Sequence, residues 1–135
     1  MNILVIDGQG GGLGRELTER ILRQYPEIAL VAVGTNSAAT AAMRKGGAVM
    51  TATGENAVVV NARRADVIVG SLGIVMADSM LGEITPRMAE AVSASDAVKI
   101  LIPGNRCNHY VAGVGDAPLG ALIEDAVRRI GTCLS

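Results

Sequence analysis

One stretch constrains this chain more than any other: Ile3-Leu4-Val5-Ile6-Asp7-Gly8-Gln9-Gly10-Gly11-Gly12-Leu13-Gly14, followed directly by Arg15-Glu16-Leu17. It reads as a short buried strand, a glycine-rich turn and the first turn of an amphipathic helix. Gly8, Gly10, Gly11, Gly12 and Gly14 fill five of the seven positions from 8 to 14. Each glycine costs roughly 0.5–1 kcal/mol of extra chain entropy on ordering, so a turn that only reverses direction has little use for so many. Their physical use is to let backbone N–H groups at the positive end of a helix approach an anion such as a phosphate.

The rest of the chain repeats the same alternation. Residues 2–6 form an apolar run of the kind expected of a strand covered on both faces. A helix follows over 13–24, with Leu13, Leu17 and Ile21 on one side and Glu16/Arg20 and Glu19/Arg23 as i,i+4 pairs on the other; Pro26 ends it. Strands are expected at 28–33, 48–52, 66–70 and 98–102, and a short strand or hairpin at 109–114. Thr35 or Asn36 can cap an Ala-rich helix that closes on Arg44-Lys45 and Gly46. Residues 53–64 are read as a helix despite Val58-Val59-Val60, because the next strand needs a crossover to lie parallel to its neighbour. Thr85-Pro86 marks another helix start, with Thr85 as cap, and Asp116 and Pro118 open the last helix. The expectation is a three-layer α/β/α Rossmann-like sandwich, one domain over 1–135, with a mostly parallel sheet of five or six strands.

Composition narrows the function classes. Half of the 135 residues are hydrophobic, yet there is no Phe or Trp and only two Tyr, so the core is built from aliphatic side chains and Met. A formal net charge of −1 supplies no electrostatic footprint for nucleic acid or an anionic membrane. Two cysteines are too few for a disulfide framework, no apolar run suits a bilayer span, and the N-terminus lacks a basic leader, which together point to a cytoplasmic protein.

In folds of this class ligands bind beyond the carboxyl ends of the strands. Here those ends are small or polar, and they define a candidate cofactor-binding set: Gly8, Gln9, Gly10, Gly11, Gly12, Leu13 and Gly14 as backbone donors, with Thr35, Asn36, Glu55, Ser71 and Asp78 around them. Gly8, Gly12 and Gly14 fit a G-x-x-x-G-x-G spacing that resembles the cofactor loop of short-chain dehydrogenases, which makes NAD or NADP the expected cofactor. The resemblance carries no catalytic pair, since no Tyr-x-x-x-Lys exists. A Walker-type loop is excluded because Arg15 and Glu16 stand where Lys and Ser or Thr are needed. Asp78 and Glu83 serve either as ordinary charges near a helix start or as groups that receive ribose hydroxyls or act as a general base. Cys107 and His109 are too few for a metal site, and none is expected.

Together, Ile6-Asp7-Gly8-Gln9-Gly10-Gly11-Gly12, Thr53-Gly54-Glu55-Asn56-Ala57, Gly82-Glu83-Ile84-Thr85-Pro86 and Ile100-Leu101-Ile102-Pro103 resemble the bacterial family described as domain of unknown function 3842. The resemblance extends over nearly the whole chain and implies a small Rossmann-like cytoplasmic protein, with no activity attached. Three readings follow. The first is a protein that binds a small phosphate-bearing ligand at the glycine loop. The second is a small oxidoreductase or transferase using Asp78, Glu83 or Cys107. The third is a non-catalytic homo-oligomer, such as a homodimer, paired through an apolar patch around residues 74–80.

Overall fold

The computed structural model of the chain describes residues 1–104 and 109–134. Five strands, β1 (Asn2–Asp7), β2 (Ala29–Gly34), β3 (Met50–Thr53), β4 (Val67–Ser71) and β5 (Val98–Ile102), form one parallel sheet in the order β3-β2-β1-β4-β5. The described residues also form the helices α1 (Gly12–Gln24), α2 (Ser37–Lys45), α3 (Glu55–Arg64), α4 (Pro86–Ala94) and α5 (Leu119–Cys133). A 3-10 turn, Leu72–Val75, follows β4.

The period-2 alternation of the strands divides the core into two layers. Ile3 and Val5 of β1 pack with Leu17, Ile21, Met43, Ile123 and Ile130, so α1, α2 and α5 cover one face. Leu4 and Ile6 pack with Val58, Ala62, Ile84, Met88 and Val92, so α3 and α4 cover the other. Each fully buried Leu or Ile contributes about 1.5–3 kcal/mol, which lets a core without Phe or Trp hold a two-sided sheet together. The α/β/α architecture expected from the sequence is what the chain adopts.

Local chemistry sets the element ends. Asn36 caps α2, its side chain accepting the Ala39 N–H at 2.8 Å. Thr85 caps α4 by accepting the Met88 N–H at 3.2 Å, and Pro86 takes the first helical position. The triple valine at 58–60 lies in α3, where Val58 packs into the core beneath the sheet and Val59 is also buried. On α1, Arg20 pairs with Glu16 as expected, whereas Glu19 pairs with Arg15 one turn back and not with Arg23.

Three expectations need correction. No strand forms over 109–114, so the sheet has five strands; Gly113 and Gly115 adopt φ of 85° and 66°, which break an extended run. The third strand begins at Met50, not at residue 48, because the Ala48 N–H bonds to the Met43 carbonyl at the end of α2. The apolar stretch 74–80 is not an exposed patch: Ile74 is fully buried on the α4 side and Met76 and Met80 are half-buried.

The strand order reverses beside β1. Chain connections run outward from β1 through β2 to β3, then return to β4 on its other side. Such a switch point opens a crevice at the carboxyl ends of the two central strands, here between the loop after β1 and the loop after β4. Close packing of α1 on β1 fixes one wall of it. A Cβ at Gly14 would lie 2.7 Å from both the Asp7 Cβ and the Met43 sulfur. Gly14→Ala is therefore expected to destabilise the fold by about 1–3 kcal/mol, measured by chemical denaturation.

Candidate functional site

The loop from β1 to α1 is closed on itself by a buried carboxylate. Asp7, 6% exposed, accepts the Gly8 N–H at Oδ1 (2.8 Å) and the Gly14 N–H at Oδ2 (2.7 Å). The Gly11 N–H donates to the Gly8 carbonyl at 3.0 Å, and the Arg15 N–H to the Gly11 carbonyl at 2.9 Å. Gly11 adopts φ 76°, and a Cβ there would meet the backbone of Ala39 at 2.7 Å, so this position tolerates no side chain. Gly8, Gly11 and Gly14 thus have internal packing reasons to be glycine.

Gly10 and Gly12 do not. A Cβ added at either would meet nothing within 4 Å. Among the described residues, the N–H groups of Gly10, Gly12 and Leu13 have no acceptor, and they surround the N-terminus of α1. These three residues line a cleft of about 580 Å³. Its far wall comes from the loop after β4 (Ser71, Leu72, Gly73, Met76) and from Met80 and Leu81, and its sides from Ile102, Pro103 and Leu119. The volume lies in the range of small-molecule sites. Its wall is mainly apolar, and among the described residues no Lys or Arg lines it. Among the described residues, backbone donors and the helix dipole are what would hold an anion here.

The sequence-predicted residues separate into three groups. Gly8, Gln9, Gly10, Gly11, Gly12, Leu13 and Ser71 line the cleft, with Gly14 immediately behind them in α1. Thr35 and Asn36 stand at the end of β2, where both bond to Glu83: its Oε1 accepts from the Thr35 hydroxyl (2.7 Å), the Asn36 side-chain amide (2.8 Å) and the Gln9 N–H (2.8 Å). Glu55 and Asp78 are brought to neither place. Glu55 accepts the Thr85 hydroxyl at 2.6 Å beside the start of α4, and Asp78 is exposed in the turn before Glu83. Cys107 lies outside the described residues. Leu72, Met76, Met80 and Leu119 were not foreseen as lining residues; the small-residue pair Gly70-Ser71 at the end of β4 was the sequence signal nearest to them.

The two carboxylates of the loop titrate in opposite directions. Burial raises the Asp7 pKa above its ordinary value of 3.8, partly offset by the bonds from Gly14 and Gly8 and reinforced by the nearby Glu83 charge. The Thr35 hydroxyl first, and then the Gln9 N–H, hold the Glu83 pKa below its ordinary 4.5. A second, shallower groove of about 280 Å³ lies between β5 and α5. Of its charged groups, Asp125 and Arg129 pair with each other at 2.8 Å, and the Lys99 amine donates to the Ser93 and Ser95 carbonyls. No group of three or more potential ligands for a metal, and no helix long and apolar enough to cross a membrane, occurs among the described residues.

The model of the family described as domain of unknown function, DUF3842, matches residues 2–135. No curated protein matches the chain. Among solved structures, the chain is similar to a dodecameric FMN-dependent Ubix-like decarboxylase from Escherichia coli O157:H7, at 16% identity and a TM-score of 0.56, over 99% of this chain and 94% of that one. At this identity the likeness shows the fold alone.

The opposite shifts give a pH test. The folded state holds the Asp7 proton more tightly than the unfolded chain does, so its contribution to stability falls as pH rises from 3.8 through the raised folded value. The contribution of Glu83 is present above pH 4.5 and is lost as pH falls through its lowered folded value. Carboxyl-carbon NMR titration is expected to find Asp7 titrating above the ordinary aspartate range and Glu83 below the ordinary glutamate range. Asp7→Ala, which strands two buried N–H groups, is expected to cost about 1–3 kcal/mol by denaturation.

Proposed function

Taking as premise that the chain belongs to the DUF3842 family, we propose that its cleft binds a small ligand carrying a phosphate group and a flat apolar ring. The observation that carries this reading is the set of three acceptor-free N–H groups, on Gly10, Gly12 and Leu13, at the start of α1. Two of the three belong to glycines that no internal contact requires. A phosphate placed over them would complete the open donors of a 13-residue helix and meet the positive end of its dipole. The ring would lie against Leu72, Met76, Met80 and Leu119.

A flavin mononucleotide or another mononucleotide suits that division into a polar end and an apolar wall. The FMN dependence of the structurally similar decarboxylase favours this class, while the loop spacing by itself also accommodates NAD or NADP. The reading is of a binding protein. An oxidoreductase or transferase activity through Asp78 or Glu83 has no support in the geometry, because Asp78 is exposed outside the cleft and the Glu83 carboxylate is already held by three donors. Assembly into a homo-oligomer is in keeping with the dodecameric state of that decarboxylase and with the exposure of Leu81 and Leu119 at the cleft rim.

Thermal-shift measurements with FMN, AMP and inorganic phosphate test the proposal. A ligand at 100-fold its dissociation constant is expected to stabilise the fold by about 2.7 kcal/mol. Gly12→Val is expected to remove the shift while leaving the circular-dichroism spectrum and unliganded stability near those of the parent, since the space there is open. The absence of a shift with all three probes, or a shift that survives Gly12→Val, would overturn the reading.

A further inference from the structure

Glu83 comes from the loop that follows β4, yet its carboxylate lies at the end of β2. Its Oε1 takes three donors at once: the Gln9 N–H, the Thr35 hydroxyl and the Asn36 side-chain amide, at 2.7–2.8 Å. Asn36 is itself fixed, because its Oδ1 accepts the Ala39 N–H and its amide also donates to the Gln9 carbonyl at 3.0 Å. Packing leaves no slack there. A Cβ at Gly8 would lie 2.7 Å from the Met80 sulfur, 2.8 Å from the Thr35 hydroxyl and 3.1 Å from the Glu83 Oε1.

The backbone that delivers Glu83 is held in an unusual form. Asp78, Met80 and Leu81 adopt φ of 66°, 56° and 57°, and Gly82 follows at 92°. The left-handed region is unfavourable for side-chain-bearing residues, and such strain persists where the surrounding structure over-determines it. Here the Asp78 N–H donates to the Ile84 carbonyl, the Glu83 N–H to the Met80 carbonyl and the Ile84 N–H to the Ser79 carbonyl. The loop is a fixed arm that holds one carboxylate at one place.

In open doubly wound sheets a dinucleotide rests its pyrophosphate on the first helix and its adenosine ribose at the end of the second strand. The polar atoms that would face that ribose, on Thr35, Asn36 and Gln9, are the three committed to Glu83. From this geometry we infer that Glu83 is a specificity-determining residue, which fills the ribose position at the end of β2 and restricts the cleft to mononucleotide-sized ligands. A dinucleotide would have to displace a carboxylate from three donors or set its own hydroxyls in space already filled. The inference rests on the reading of the glycine loop as a phosphate site.

FMN and FAD isolate the effect, because they share the flavin and its phosphate and differ by the AMP half. Isothermal titration calorimetry on the purified full chain is expected to show FMN binding at least about tenfold more tightly than FAD. Glu83→Ala frees three donors for a ribose and is expected to bring FAD to within about threefold of FMN, with FMN affinity unchanged because Glu83 does not line the cleft. Should that variant lose its fold by circular dichroism, Glu83→Asp, whose carboxylate is withdrawn by one methylene, is expected to relax the preference part-way. Equal affinities in the parent protein, or a preference undiminished in a folded variant, would remove the role of Glu83 and leave the phosphate reading standing. FMN binding to neither parent nor variant would overturn the inference, and together with no thermal shift from AMP or inorganic phosphate it would overturn the phosphate reading as well.

Discussion

The structure turns on the carboxylate of Asp7. It sits at the end of the central strand, out of water, and bridges the N–H groups of Gly8 and Gly14. That double contact ties the exit of β1 to the first turn of α1 and bends the intervening residues into a closed loop. A buried charge is costly unless hydrogen-bonded, and here two backbone donors meet it, one on each oxygen. Between the bridged positions, the N–H groups of Gly10, Gly12 and Leu13 are left without an acceptor among the described residues. Position, orientation and availability of the Gly10, Gly12 and Leu13 donors all descend from this one contact.

The crevice at the switch point is consequently divided. On the β4 side it is open, lined by apolar side chains and faced by free N–H groups. On the β2 side it is filled by Thr35, Asn36, Met80 and the carboxylate of Glu83. Among the described residues the open half has no lysine or arginine along its wall. Helix-terminal donors contribute about 0.3–2 kcal/mol toward an anion, so much of the affinity for any ligand must come from burying an apolar ring. On the proposed reading, the selectivity of the cleft comes from its shape and from a few placed donors.

Much of the scaffold was readable residue by residue. The continuous apolar runs placed the strands because both faces of a parallel sheet must be covered. Asn36 and the Thr85-Pro86 pair marked helix starts through the orphan N–H groups they satisfy. The triple valine of α3 was placed correctly by topology rather than by propensity, since a parallel neighbour requires a crossover. Where the sequence misled, two equivalent local partners or a tertiary contact decided the outcome. Glu19 pairs with Arg15, one turn back, in place of Arg23, one turn on, and the apolar stretch after β4 folds inward because Ile74 completes the layer beneath α4.

From the sequence alone came the α/β/α layering, the strand–glycine–helix junction and the expectation that this junction admits an anion, because those depend on periodicity and on backbone freedom local to a few residues. The sequence could not separate the glycines that close the loop from those that open onto the cleft, since that depends on what stands opposite each one: Ala39 against Gly11, empty space against Gly10 and Gly12. Nor could it show that Glu83 reaches the end of β2, 47 positions away from Asn36 in the chain. That contact exists because the sheet order brings the loops after β1, β2 and β4 to one edge, and only the folded arrangement of strands determines which distant side chains share it.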